Sequence, residues 1–153
     1  MKKYINHIIT ISLCVTLGSC DTLEEDIVSG VTAEYLDGTE GVDAGVNAAY
    51  SFLRKYYAQE EGNKLSVFGT DEYTHGGHGG DWDIDRYGAG LNAENGNLWT
   101  LWSNFYQAIN GCNAVVERAT ASTELTEDEK NPKIAEVRFL RAHYYFTLVQ
   151  TFG

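Results

Sequence analysis

Thr74 to Gly88, THGGHGGDWDIDRYG, gathers residue types that do chemistry: His75 and His78, Asp81, Asp83 and Asp85 in alternation, and the aromatics Trp82 and Tyr87. Alternating carboxylates open the calcium loop of an EF-hand, which also demands a glycine at its sixth position and a bidentate glutamate at its twelfth. Arg86 and Asn92 stand there, so an EF-hand is excluded, while a looser calcium site on the same aspartates stays open. His75 and His78, with Asp71 or Asp81 as third ligand, would suit a transition metal. Two histidines three apart recur by chance, however, and no neighbour is seen to fix their ring orientation. A carboxylate pair for glycoside hydrolysis needs one acid of raised pKa and a partner at a set distance. A glycine-rich loop is a poor platform for that precision. Two readings remain beside these: a solvated acidic loop, and a contact surface built on the aromatic rings.

Which reading holds depends on the elements around the segment. Residues 60–95 lose helical periodicity and hold eight of the chain's 16 glycines, so they read as a long loop with at most a helical turn at Leu65 to Gly69. Loops beyond about 15 residues in a compact domain are usually functional or disordered. Before it, Val42, Val46, Ala49, Tyr50, Leu53 and Tyr57 recur at helical spacing, which predicts a helix from Thr39 to Gln59. After it, the spacing of Leu98, Trp102, Phe105, Ile109, Cys112, Asn113 and Val116 predicts a second helix from Asn97 to Thr120. Trp99 and Trp102 are assigned to the core of that helix, and Cys112 acts as a small buried hydrophobe.

The linker ASTELTEDEKN then leads to a last helix, with Asn131 as N-cap and Pro132 at its first position. Its polar residues Glu136, His143, Thr147 and Gln150 form one narrow stripe, and apolar side chains cover most of the rest. A helix of this kind is sandwiched by neighbours. Three helices supply too few, so the pattern asks for further helices and predicts exposed apolar surface here. Arg138 and Arg141 lie off the stripe and, if buried, need carboxylates or carbonyls.

At the N-terminus, Lys2 and Lys3 precede a short apolar run and LGSC, the pattern of an export signal too short to span a bilayer. LGSC resembles the bacterial lipobox, which makes residues 1–19 a lipoprotein signal peptide and Cys20 the lipidated first residue; a plain cleavage site with a chance cysteine is the alternative. Residues 20–38 read as an acidic tether and 39–153 as the helical region. Loss of residues 1–19 removes two of the 11 basic side chains and none of the 22 acidic ones. So acidic a surface repels nucleic acid, which is excluded as a partner. With Cys14 removed and Cys20 lipidated, Cys112 has no internal disulfide partner.

AEVRFLRAHYYFTLVQTFG (Ala135 to Gly153) resembles a signature of the SusD/RagB family of nutrient-binding outer-membrane lipoproteins. GVNAAYSFL, TDEY and LWTLWSNFYQAINGCNAVVERA resemble its N-terminal part, in the same order. The resemblance implies an all-α fold of tetratricopeptide-like helix pairs, of which this chain is the N-terminal portion. It implies a lipid-anchored protein facing the cell exterior, binding an oligosaccharide or other nutrient without cleaving it and without a cofactor, beside a SusC-like TonB-dependent transporter. On that footing the aromatics of the loop outrank its acids. Trp82, Tyr87 and Tyr73 offer flat faces to sugar rings or to the transporter, and Asp81 and Asp83 accept hydroxyl hydrogen bonds. The alternative function is a protein-interaction scaffold of tetratricopeptide type with no small ligand.

Overall fold

The computed structural model describes residues 33–77 and 80–153, and the regular elements among them are all α-helices. In chain order these are α1 (Ala33–Asp37), α2 (Thr39–Ser51), α3 (Leu53–Tyr57), α4 (Glu60–Val67), α5 (Trp82–Asp85), α6 (Gly96–Ala121) and α7 (Glu127–Phe152). The all-α expectation holds. The signal peptide, Cys20, most of the tether and His78 lie outside the described residues.

Helices α6 and α7 form a long hairpin, and α2 packs on both. Helix α6 begins where the Asn95 side chain accepts from the N–H groups of Asn97 and Leu98, satisfying two donors that have no partner within the helix. The core lies where the three helices meet, with Phe105, Ile109 and Cys112 facing Val137, Leu140 and Tyr144, and Val42 closing it from α2. Tyr144 is fully buried, its ring 5.0 Å from that of Phe105 and its hydroxyl donating to the Ala49 carbonyl at 2.6 Å. A buried phenol needs such an acceptor, and burial holds its pKa far above the ordinary value. Burial likewise pushes the Cys112 thiol up.

Four expectations about the elements are corrected. Helix α7 starts at Glu127, not at Asn131. Thr126 and Glu129 form a capping box in which Glu129 Oε2 accepts from Thr126 N at 2.8 Å, and three acidic residues occupy the first turn, where the helix dipole favours them. Pro132 therefore lies inside the helix; the carbonyl its missing N–H would have met belongs to Asp128, which is exposed. The helix predicted over 39–59 ends at Ser51, and α3 follows after Phe52. Glu60–Val67 is a full helix within the predicted loop. The end of the predicted tether is helical, and Asp37 in α1 pairs with Arg118 of α6 at 2.7 Å.

The buried stripe of α6 is also rotated from the predicted one. Leu101, Ala108 and Val115 are buried, while Trp102 and Asn113 are exposed. Asn113 accepts from Arg141 at 2.7 Å, so the half-buried guanidinium finds an amide oxygen and not a carboxylate.

The polar stripe of α7 borders α2 and α3, with His143 half-buried and Glu136 and Gln150 exposed. Tyr50 donates to Glu136 at 2.7 Å, the Tyr57 hydroxyl meets His143 Nε2 at 3.0 Å, and Thr147 is buried. The face turned away from the core carries Phe139, 71% exposed, with Phe146 and Val149 also open to solvent. The expected exposed apolar surface is therefore present.

Candidate functional site

The glycine-rich segment is fastened to the helical body through Asp81 and held to itself through Asp83 and Asp85. Asp81 accepts from Lys64 Nζ on α4 at 2.8 Å and from Asn97 Nδ2 on α6 at 2.8 Å. The Lys64 ammonium beside it holds the Asp81 carboxyl below the usual carboxylate range. Asp85 accepts from the Thr74 hydroxyl at 3.0 Å and from the His75 backbone N–H at 2.9 Å. Burial pushes the Asp85 carboxyl up, but these donors and the Gly69 N–H outweigh it, and the net displacement is downward. The carboxylate of Asp83 occupies the space that a Cβ on Gly88 or Gly90 would take. Each of the alternating aspartates thus touches the fold of its own loop.

Between these anchors, α5 is a single helical turn held by Ile84, which is buried. Trp82 is half-buried. The His75 ring lies 5.0 Å from it by centroid, the Phe68 ring stands edge-on to His75, and the Arg86 guanidinium lies 4.1 Å from the Trp82 ring centre. A cation at that distance is attracted by the ring quadrupole. The indole is therefore part of an aromatic cluster, and the guanidinium covers part of its face.

Tyr87 differs. It is 70% exposed and, among the described residues, is the single non-glycine residue with positive φ, at 52°. Left-handed backbone costs an L-residue roughly 1–2 kcal/mol. The conformation is held by the Tyr87 hydroxyl, which donates to the Gly69 carbonyl at 3.2 Å, and by contact of its ring with Gly69. Gly69 itself has φ of +74°, and a Cβ there would stand 2.9 Å from the tyrosine ring. Tyr73 is also exposed, 14 positions earlier in the same loop.

A second aromatic cluster escaped the sequence reading. Trp99 and Trp102, expected in the core, are exposed, Trp99 by 65%. Trp102 lies 4.7 Å from the Tyr106 ring and 5.2 Å from that of Phe152, and a cleft of about 490 Å³ opens between Leu98, Trp99, Phe152 and the Leu91 to Ala93 turn. The available signal was Trp99 itself, which follows Leu98 directly and so falls about 100° off the apolar stripe.

Among the described residues no group of three or more His, Cys, Asp or Glu side chains is placed to hold a metal ion. No helix there is long and apolar enough to cross a membrane.

A family model described as "Starch-binding associating with outer membrane" matches residues 23–153, which include the fastened loop and the seven helices of the described residues. The chain belongs to the SusD-like family. It is 27% identical over 158 aligned positions to "SusD-like protein P2" of Formosa agariphila, covering all of this chain and 30% of that protein. The SusD-like chain thus spans less than a third of the length of this curated relative. No solved structure matches it. SusD-like proteins are binding proteins associated with the outer membrane, and the all-helical body agrees with that membership.

Proposed function

We propose that this SusD-like protein captures a glycan at the cell surface without cleaving it and delivers it to a SusC-like TonB-dependent transporter, held at the outer membrane by lipid on Cys20. The observation that carries the glycan reading is Tyr87, an exposed ring kept in a strained backbone conformation. Strain of this kind persists where the surrounding structure over-determines it, often at ligand clamps. A phenol ring is a suitable face for the apolar side of a sugar, and Tyr73 and Trp82 in the same loop extend the aromatic surface. Asp81 and Asp83 are the carboxylates expected to accept sugar hydroxyls, but their internal contacts leave them a smaller part than the rings.

A binding role without hydrolysis is supported by the electrostatics. A glycosidase needs one carboxylic acid with a raised pKa. Asp81 and Asp85 are displaced the other way, by partners that favour the charged form. The test is calorimetry of the full-length protein against a panel of soluble glycans, with Tyr87→Ala as control. Binding that Tyr87→Ala weakens, with no shortening of the recovered glycan, is expected; product formation would overturn the non-catalytic reading.

The second reading, a protein-interaction scaffold of tetratricopeptide type, is favoured by the outward row of Phe139, Phe146 and Val149. Absence of binding to every glycan, together with an intact transporter complex, would select it.

A further inference from the structure

Arg86 is exposed and its guanidinium, among the described residues, makes no hydrogen bond or salt bridge; it lies over the Trp82 ring, 4.1 Å from the centre, and its charge helps to hold the Asp85 carboxyl down. Lys64, the other cation at this site, is committed to Asp81 and Glu60. A guanidinium laid against an aromatic ring keeps its N–H donors free at the edge of the plane. Its rotamer is also restricted, so less freedom is lost when those donors engage a ligand. The next residue is Tyr87, whose exposed ring is fixed by its backbone and by Gly69.

Resting on the glycan reading above, we infer that Arg86 is a specificity-determining binding residue: its forked N–H groups donate to neighbouring hydroxyls of a neutral saccharide while the adjacent Tyr87 takes the face of a ring. The neutral class follows from the surroundings. Asp71, Glu72, Asp81, Asp83 and Asp85 all lie in the same loop region, in a chain of net charge −11. A uronate or sulfated sugar would compete with Asp85 for the one guanidinium and meet the exposed carboxylates of Asp71, Glu72 and Asp83. A neutral sugar loses nothing to that field, and its hydroxyls accept from the guanidinium and donate to the exposed acids.

The experiment is calorimetric titration of the full-length protein, Arg86→Ala and Arg86→Lys with neutral gluco-, manno- and galacto-oligosaccharides and with oligogalacturonates, alongside thermal melts of each variant. Wild type is expected to bind a neutral oligosaccharide and to bind oligogalacturonates more weakly. Arg86→Ala and Arg86→Lys are each expected to weaken that binding about tenfold or more with melting temperature little changed, because lysine keeps the charge but not the stacked fork. Wild-type affinity in both variants overturns the role of Arg86, and preference for oligogalacturonates overturns the neutral class. A lowered melting temperature with unchanged affinity would assign Arg86 to the fold alone. Silence of the wild type on every glycan is a separate outcome, which removes the glycan reading itself and this inference with it.

Discussion

Lys64 Nζ lies 2.8 Å from Asp81 Oδ2, with the two side chains only 13% and 20% exposed, and this ion pair joins α4 to the residue preceding α5. It organises a segment whose sequence reads as a long loop. Asp81→Ala leaves a largely buried ammonium with one carboxylate, on the exposed Glu60, and frees the Asn97 amide. The expected cost is about 1–3 kcal/mol, the range for a buried group losing a charged partner. Urea denaturation measures it, and hydrogen exchange should quicken across residues 69–88 before the rest of the body is affected.

Acid should loosen the same loop. The folded-state pKa values of Asp81 and Asp85 are depressed, and so is that of Glu129, mainly through the Thr126 backbone N–H. Depressed carboxylates contribute stability that is fully present above their unfolded value, near pH 4, and is lost as pH falls through the folded values below it. Melting temperature should hold from neutral pH to about pH 5 and fall progressively below pH 4. A melting temperature unchanged down to pH 2 would contradict the role given to these carboxylates.

Tyr87→Gly should separate stability from binding. Glycine adopts φ of 52° without the penalty a tyrosine bears, so the variant loses the bond to the Gly69 carbonyl yet is expected to change stability by no more than about 1 kcal/mol. Binding of the glycan should be lost with the ring. Gly69→Ala is the converse: it places a side chain at φ of +74° against the tyrosine ring and should cost about 1–2 kcal/mol by thermal melts.

Tyr144→Phe should destabilise the body by about 1–2 kcal/mol in chemical denaturation, because the buried Ala49 carbonyl loses its side-chain donor. In the same native protein Cys112, fully buried with its thiol pKa raised, should react with a thiol reagent only on unfolding.

The outer face of α7 should bind a hydrophobic dye. Phe139→Ser and Phe146→Ser are expected to reduce dye fluorescence while changing stability by less than about 0.5 kcal/mol, as surface substitutions do. A large loss of stability in either would show that the face is already covered in solution.

Much of the body was legible in the residue pattern. Periodicity alone places long helices over α2, α6 and α7, since a repeat of three and four residues admits one local structure. The signature AEVRFLRAHYYFTLVQTFG pointed to the family that the match over residues 23–153 establishes. The start of α7 was also written in the chain, as Thr126 and Glu129 at capping-box spacing.

The tertiary structure decided which way each helix turns and what each polar group meets. Glu136, His143 and Thr147 define a stripe by spacing, but the partners of Glu136 and His143 are Tyr50 and Tyr57, each 86 positions away along the chain. Trp99 falls off the apolar stripe of its helix, but Trp102 lies on it, and the exposure of Trp102 follows from which face of α6 meets the other helices. The aspartates of the loop show the same division. Their types and spacing admit calcium, acid catalysis or sugar binding alike, and only the approach of Lys64, Asn97, Thr74 and two glycines shows that they also hold the loop. Sequence spacing governs contacts within a turn or two of helix, whereas the partner of a carboxylate is set by how separate elements pack.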